Sequence, residues 1–313
     1  MTWIRAGAVF LLLVSLAVVP WLLSPYDVGI LVQVMIYAIF AMSLDLLLGY
    51  TGLPSLGHAA YFGLAGYAVA LISTKLWTGA ALAPLVVAGL AVTGAAGIFF
   101  ALLALRTHGV YFLMITLALA QVLWGIAFKW RSLTGGDDGL PGIRRPELAF
   151  GLSLADPTIF YFAVLLAFVL ITAFLHVLVR SPFGLALKGI RDSESRMLAL
   201  GYNVWLHKLI IFVLAALMAG IAGMLFTFYN HFVSPSDLSL VLSAKVLLMV
   251  TLGGAGTLYG PILGAFAIVM LENMLSAWTE RWLLLLGLLY VASVTWAPNG
   301  IVGFLAGRPG AQD

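Results

Sequence analysis

The stretch LLLGYTGLPSLGHAAYFG, residues 46–63, places glycines, a proline, a histidine and several hydroxyl side chains between two long apolar runs. In a hydrocarbon environment, backbone N–H and C=O groups that leave a helix without finding new hydrogen bonds are costly. If the apolar runs lie in a membrane, the stretch predicts a helix that breaks there. Neighbouring protein segments or a water-filled cavity would then have to cover its backbone.

The chain is far more apolar than a soluble protein. Of its 313 residues, 63% are apolar and 9% are charged, against roughly 45–50% and 25% in soluble domains. Apolar runs long enough to cross a hydrocarbon core of about 30 Å recur along the whole length, which excludes a soluble domain with a single anchor. We therefore predict an integral membrane protein in which residues 1–313 form one transmembrane domain.

Hydropathy predicts an all-α fold, a polytopic helical bundle of about eight to ten transmembrane segments, some of them broken or re-entrant. The first apolar run follows Arg5 and lacks a small-residue cleavage site, so we interpret it as a retained helix rather than a signal peptide. The predicted spans cover residues 7–23, 28–49, 57–73, 81–105, 110–128, 158–179, 207–230, 242–254, 258–274 and 283–297.

Two connections between the spans are long enough to carry a function, and residues 180–208 hold the densest basic cluster of the chain. By the positive-inside rule this connection is cytoplasmic, and residues 129–157 then form an external loop. Apolar and charged side chains are interleaved between Pro182 and Leu200. Such an amphipathic segment lies on the membrane surface or docks into a partner's groove, and its composition alone favours the membrane surface.

A second glycine-rich interruption, GGAGTLYGPILGAF at residues 253–266, echoes the first. Interrupted helices in both halves of a chain indicate the binding region of a transporter, because exposed backbone and hydroxyl groups at the breaks can bind a polar substrate. The alternative is that the small residues allow close helix packing and that His58 bonds to a neighbouring helix. The predicted pathway residues are Tyr50, Thr51, Gly52, Ser55, Gly57, His58, Tyr61, Gly253, Gly254, Gly256 and Thr257.

The sequence offers no candidate catalytic residue and no metal site. It has no cysteine, its five histidines are scattered without an HExxH motif, and it has no phosphate-binding GxxxxGK[ST] loop. We therefore expect no cofactor in this chain, and any ATP and Mg²⁺ that drive transport would bind to another subunit. The net charge of +3 comes without a basic run of the kind that binds nucleic acid.

Two acidic residues, Asp45 and Glu272, lie inside predicted spans. Carboxylates at such positions raise the possibility of proton or cation coupling. A coupled carrier generally needs a relay of carboxylates, whereas these two lie apart and each is near the end of a segment. Bonds to neighbouring helices are therefore the favoured interpretation.

Six motifs, in this order between residues 28 and 305, resemble the LivM-type permease subunits of branched-chain amino acid ABC importers. The motifs are LDLLLGYTGLPSLGHAAYFGLAGY, RTHGVYFLMITLALAQ, LTGGDDGLPGI, SPFGLALKGIRDSESRMLALGYNV, GGAGTLYGPILGA and WAPNGIVGF. The resemblance implies a subunit in the inner membrane of a bacterium, embedded in lipid, that pairs with a second, LivH-type permease subunit and two ATP-binding subunits. A periplasmic substrate-binding protein would deliver leucine, isoleucine, valine or a similar neutral amino acid.

The resemblance also implies that residues 180–208 are a coupling loop, which inserts into an ATP-binding subunit and moves when ATP closes it. The sequence SRML follows Glu194 where relatives often carry small residues, so the details of that contact differ here. The positions that match the family's coupling loop are Phe183, Gly184, Arg191, Asp192, Glu194, Ala199 and Gly201.

Three other functions stay open at this point. Close relatives of the family carry urea or short amides, and the uncharged spans suit urea as well as a zwitterion. An ion-coupled carrier would transport its substrate without ATPase subunits. A passive channel would allow flux down a gradient through this chain alone.

Overall fold

A computed structural model describes residues 15–77, 81–147 and 153–278, and beyond them residues 281, 284–285, 287–288, 291, 295 and 300–301. The described chain is helical except for two strands of two residues each, one isolated bridge and the connections, which confirms the all-α membrane fold. Residues 7–14 of the predicted span 7–23 and most of the span 283–297 lie outside the described residues, and residues 15–22 of the first are helical.

Six of the described helices are long and apolar enough to cross a membrane, and two shorter apolar helices bring the total within the predicted range. The helices are α1 (Pro25–Thr51), α2 (Ala59–Leu71, continued by the π-helical turn Ile72–Leu76), α3 (Leu82–Ala104), α4 (Val110–Lys129), α5 (Pro157–Arg180), α6 (Pro182–Asp192), α7 (Glu194–Ala199), α8 (Val204–Asn230), α9 (Leu240–Gly253) and α10 (Gly260–Trp278). The smaller elements are a helical turn at Arg131–Thr134, 3-10 turns at Gly136–Asp138 and Pro235–Leu238, and strands β1 (Leu140–Pro141) and β2 (Phe232–Val233), which pair antiparallel.

The bundle has two ends, which we call lower and upper. Helices α6 and α7 lie at the lower end, where Arg191 of α6 bonds to Gly49 in the last turns of α1. At the upper end, a Cβ added at Gly29 of α1 would lie 3.1 Å from the Tyr229 hydroxyl near the end of α8. Helix α1 therefore runs down through the bundle, and α8 runs up beside it.

The two longest helices, α1 and α8, have 27 residues each and end in the same way. Helix α1 begins at Ser24, whose hydroxyl accepts the Asp27 N–H at 3.3 Å, and Pro25 occupies its first position. It ends at Gly52, with φ of 69°, while α8 ends at His231, with φ of 56°. These left-handed residues stop each helix, and after each the chain turns back into the bundle.

Helix α8 lies at the centre, packed on α1, α2 and α3. Small residues allow this, because a backbone without bulky side chains approaches its neighbour closely. In the contact with α2, a Cβ at Gly223 would overlap the Phe62 carbonyl. Helix α3 runs antiparallel to α8 and meets it once per turn, in the pairs Gly97 with Ala216, Thr93 with Gly220 and Gly89 with Met224.

The break predicted in the first stretch is present. After α1, residues 52–58 turn back upward, and His58 Nε2 comes within 2.8 Å of Ser43 Oγ. Since Ser43 lies more than two turns before the end of α1, this contact is about 12 Å above the lower end of that helix. Helix α2 therefore begins inside the bundle and climbs to the upper end.

A second re-entrant segment, residues 231–239, enters the bundle from the upper end after α8. It runs beside α2, where Gly63 lies against the Leu238 side chain. Helix α9 then continues downward, and Ser243 Oγ accepts the Ala59 N–H at 3.1 Å. An N–H at the start of α2, which has no partner inside its own helix, is thus satisfied by α9.

The second re-entrant segment carries a partly buried carboxylate. Asp237 Oδ2 accepts the Ser234 N–H at 3.0 Å and forms a capping box with that serine around the 3-10 turn. The carboxylate therefore fixes the backbone of the turn that leads into α9.

We expect Gly223→Ala to destabilise the bundle, because the new Cβ has no space beside the Phe62 carbonyl and must push α2 away from α8. Overpacking of this kind costs about 1–3 kcal/mol, and it should lower the thermal unfolding midpoint of the purified protein. Gly125→Ala in α4 is the matched control, since nothing lies within 4 Å of its added Cβ. Equal midpoints for the two variants would contradict the packing described here.

Candidate functional site

Three parts of the chain meet at the lower end of the bundle, at a place that we call the lower junction. They are the end of α1, the end of α6, and the turn 254–259 between α9 and α10. The Arg191 guanidinium donates from Nη1 to the Gly49 carbonyl at 2.5 Å. The Gly256 N–H donates to Asp45 Oδ1 at 2.7 Å. Two hydrogen bonds thus join α1 to both of the other segments.

Glycine at two positions makes the lower junction possible. A Cβ at Gly49 would overlap the Asp45 carboxylate and the backbone nitrogen of Gly256. Gly256 itself has φ of 76°, a conformation that other residues rarely adopt. The two glycine-rich stretches of the sequence therefore touch each other, and close packing explains glycine at these two positions.

Arg191 compensates the negative end of α1. The Gly49 carbonyl is among the last of that helix, where the aligned peptide dipoles amount to about half a negative charge. The backbone cap at Gly52 satisfies other carbonyls of the last turn. Arg191 also lies near the buried Asp45 carboxylate, and its Nε is 3.6 Å from exposed Asp192. The guanidinium is therefore the positive centre of the junction.

A cavity of about 380 Å³ opens beside the lower junction. It brings together pathway residues predicted from both glycine-rich stretches with basic residues of α5 and α6. Lys188 Nζ lies 5.4 Å from the centroid of the Tyr50 ring, in a cation–π contact. The lining residues are Tyr50, His176, Val179, Arg180, Leu185, Lys188, Gly256, Thr257, Leu258 and Tyr259.

His58 and Tyr61 are fully buried in the core of the chain. His58 bonds to Ser43 of α1 and stacks on Phe40, while the Tyr61 ring packs edge to face on Phe100. The bond between His58 and a neighbouring helix, which the sequence left open, is thus present. In the described part of the chain, His58 Nδ1 and the Tyr61 hydroxyl have no hydrogen-bond partner. Contact between either residue and substrate stays a prediction.

Other predicted pathway residues stabilise their own turns. Thr51 Oγ1 donates to a carbonyl one turn earlier in α1, at 2.6 Å. Ser55 Oγ accepts the Gly57 N–H at 3.3 Å. Gly253 leaves no room for a Cβ beside the first residue of α10, and Gly254 caps α9. A role for these residues in the pathway likewise stays a prediction.

The predicted coupling loop folds into α6 and α7, each begun by a serine cap. Ser181 Oγ accepts the Gly184 N–H at 3.3 Å, and Ser193 Oγ accepts the Arg196 N–H at 3.4 Å. Gly184 lets α6 pack directly on the last carbonyls of α5. The two helices and the first residue of α8 enclose a small apolar cluster, formed by Ala186, Ile190, Met197 and Val204.

Side-chain contacts hold this segment against the lower end of α8. The Phe183 ring stacks on His207, with 5.3 Å between the ring centroids. Glu194 Oε2 accepts a hydrogen bond from the nearly buried Lys208 at 2.6 Å, and the two form an ion pair. Displacement of α6 and α7 would therefore act on α8 as well as on α1.

The end of α7 and the following turn, residues 198–202, form an exposed patch that we call the apolar tip. Leu198 and Leu200 are 57% and 66% exposed. Ala199 and Gly201, both predicted coupling positions, lie between and beside them and are also exposed. Apolar side chains that project from a polar segment are typical of a protein interaction site.

Both acidic residues of the predicted spans have partners. Asp45 is bonded to Gly256, and Glu272 of α10 forms an ion pair with Lys245 of α9. Each therefore bonds to a neighbouring segment, in line with the favoured interpretation. Within the described ranges, no group of three or more histidine, cysteine or acidic side chains could hold a metal ion.

Sequence reasoning assigned neither Lys188 nor Lys245 to a site. Lys188 precedes Arg191 by one helical turn in an amphipathic segment, so helix periodicity alone indicates that the two share a face. The partner of Lys245, by contrast, lies on another helix. No spacing in the sequence indicates that pair.

The sequence of the chain matches a known protein family. A family model described as "Branched-chain amino acid transport system / permease component" matches residues 27–294. No solved structure matches the chain.

Three relatives are high-affinity or probable branched-chain amino acid transport permease proteins, each named LivM. Those of Salmonella typhimurium and Escherichia coli are 31% and 30% identical over 318 residues, which cover 93% of this chain and 73% of each relative. That of Methanocaldococcus jannaschii is 24% identical over 314 residues, 85% of this chain and 90% of the relative. The chain is thus a multi-pass membrane transport protein, and it belongs to the family of permease components of branched-chain amino acid transport systems.

Proposed function

We propose that this chain is the permease subunit of an ATP-driven ABC importer that moves branched-chain or similar neutral amino acids across the cell membrane. The lower junction is the observation that carries this proposal. A helix beside an exposed apolar tip bonds directly, through Arg191 and Gly49, to the end of α1, after which the membrane-embedded chain breaks. A segment that has an exposed tip and also bonds to the end of a membrane helix is suited to transmit the movement of a partner.

The proposed partners follow from this arrangement and from the family. Two ATP-binding subunits carry ATP and Mg²⁺, a second permease subunit completes the pathway, and an external binding protein delivers the substrate. The apolar tip docks on an ATP-binding subunit, which places the lower end of the bundle in the cytoplasm. This chain performs no covalent chemistry.

Transport then proceeds by alternating access. Closure of the ATP-binding subunits displaces α6 and α7, and Arg191 passes that displacement to the end of α1. The turn 254–259 follows, because Gly256 is bonded to Asp45 of the same helix. The start of α2 follows α1 along the chain, and the start of α9 bonds to the start of α2. Movement of α1 therefore rearranges the central part of the bundle, and the substrate leaves toward the cytoplasm.

The substrate class rests on the relatives, whose names specify branched-chain amino acids. A urea or short-amide permease is the second candidate, since the family resemblance includes such carriers. An ion-coupled carrier is disfavoured, because the intramembrane carboxylates of Asp45 and Glu272 are each held by another group.

Reconstitution separates these functions. Proteoliposomes that contain this chain with its permease partner, the ATPase subunits and the loaded binding protein should take up leucine only when ATP is supplied. Proteoliposomes that contain this chain alone should show no uptake. Gradient-driven uptake or passive flux through the chain alone would overturn the proposal.

We expect Arg191→Ala to uncouple ATP hydrolysis from transport, because the variant loses the bond from α6 to α1. A hydrogen bond to a charged group contributes about 1.5–3 kcal/mol, so the uptake per ATP hydrolysed should fall roughly tenfold or more. Arg106→Ala is the control, since Arg106 is an exposed arginine in another turn at the lower end. Unchanged coupling in Arg191→Ala would show that the junction does not transmit movement.

We expect the double variant Leu198→Asp, Leu200→Asp to release the ATP-binding subunits, because charges at the apolar tip cannot enter an apolar groove without a large desolvation cost. Copurification of the subunits measures this, and the unfolding midpoint of the isolated chain should change little, as both side chains are exposed. His108→Asp, at another exposed position of the lower end, should leave the complex intact. If the ATP-binding subunits copurified with the double variant at the wild-type level, the apolar tip would not be part of the interface.

A further inference from the structure

An ion pair lies beside an aromatic ring between α1, α9 and α10. Lys245 and Glu272 are in direct contact, and Lys245 Nζ lies 4.3 Å from the centroid of the Tyr37 ring. The Lys245 and Glu272 side chains are 12% and 24% exposed. The pair is therefore mostly enclosed, yet its carboxylate stays open to a ligand.

The ion pair lies deep in the membrane. Tyr37 is near the midpoint of α1, about 18 Å from the upper end of that helix. Charged side chains at such a depth are costly, and those that occur mostly serve transport or binding. A buried ion pair also contributes little stability compared with apolar residues of similar size. Stability alone therefore does not account for charges at this position.

The surroundings of the pair match a known pattern of substrate sites. The second re-entrant segment leads into α9 here, and Lys245 lies in the second turn of that helix. Transporters bind substrate near the membrane midplane, where broken helices begin. A cation, a carboxylate and an aromatic face converge close to such a break in this chain.

We propose that Lys245, Glu272 and Tyr37 bind the head group of a zwitterionic amino acid during its passage, an assignment that rests on the proposed function. The substrate carboxylate bonds to Lys245, and the substrate ammonium bonds to Glu272 against the Tyr37 ring. Without substrate, the two side chains neutralise each other. A bound zwitterion separates the two side chains. Its carboxylate takes the place of Glu272 beside Lys245, and its ammonium takes the place of Lys245 beside Glu272.

This exchange distinguishes amino acids from amides. Urea carries no full charge, so it would separate Lys245 from Glu272 without compensating either one. A site of this kind therefore favours an α-amino acid over urea, which the family resemblance alone does not decide.

The complete complex in proteoliposomes, with ATP and the leucine-loaded binding protein, provides the test. In the double variant Lys245→Met, Glu272→Gln no unpaired charge is left behind, so we expect normal assembly of the complex but at least a tenfold loss of leucine uptake. The control is Asn273→Ala, which removes a neighbouring polar side chain of α10 that bonds within its own helix. Uptake by the double variant within twofold of the wild type would overturn the proposal.

A second variant separates binding from a structural link between α9 and α10. The charge swap Lys245→Glu, Glu272→Lys keeps an ion pair and so would preserve a mere link, but it places both charges on the wrong sides for the head group. We expect an assembled complex with strongly reduced uptake, and normal uptake would overturn the proposal even if the neutral variant failed to assemble.

Uptake by the wild-type complex in the same assay distinguishes failure of the proposed function from failure of the proposed head-group site. No ATP-driven uptake by the complete wild-type complex would overturn the proposed function together with this site. ATP-driven uptake of urea but not of leucine would overturn the site and leave the ABC importer in place.

Discussion

Lipid offers no hydrogen bonds, so every place where a helix breaks inside the bundle must be closed by another part of the chain. Here the two helices that begin inside the bundle bond to each other. The Ala59 N–H at the start of α2 donates to Ser243 in the first turns of α9. Helix α2 runs up from this contact and α9 runs down from it. The architecture therefore depends on two short helices that begin side by side within the membrane.

Much of this fold could be predicted from the sequence, since composition and hydropathy determine where helices lie in a membrane protein. The glycine-rich interruption at residues 46–63 predicted the first break, and the structure contains it. The predicted spans 207–230 and 242–254 leave residues 231–241 as a connection, but that stretch contains no glycine and nothing in it indicates re-entry into the bundle. His231 supplies the left-handed turn there, and a histidine in that role has no signature in a sequence.

The candidate site was less predictable, because its key contacts join residues far apart in the chain. Glycine at positions 49 and 256 indicated flexible turns, but only the fold shows that the two backbones touch. Arg191 was assigned to coupling by family resemblance, yet its bond to α1 depends on how α6 packs at the lower end. The partner of Lys245 depends in the same way on the antiparallel packing of α9 and α10.

The lower junction and the midplane ion pair lie on the same rigid bodies. Helix α1 carries Tyr37 near its centre and Gly49 near its lower end, about 18 Å apart along the axis. Helix α9 carries Lys245 and ends at Gly253, beside the turn that binds Asp45. Helices transmit displacement along their axes, so a displacement that α1 passes through this bond to the α9–α10 hairpin also reaches Tyr37, Lys245 and Glu272. Under the proposed function, ATP-driven movement at Arg191 would thus alter the affinity for a head group at the midplane, and by thermodynamic reciprocity a bound head group would bias the junction.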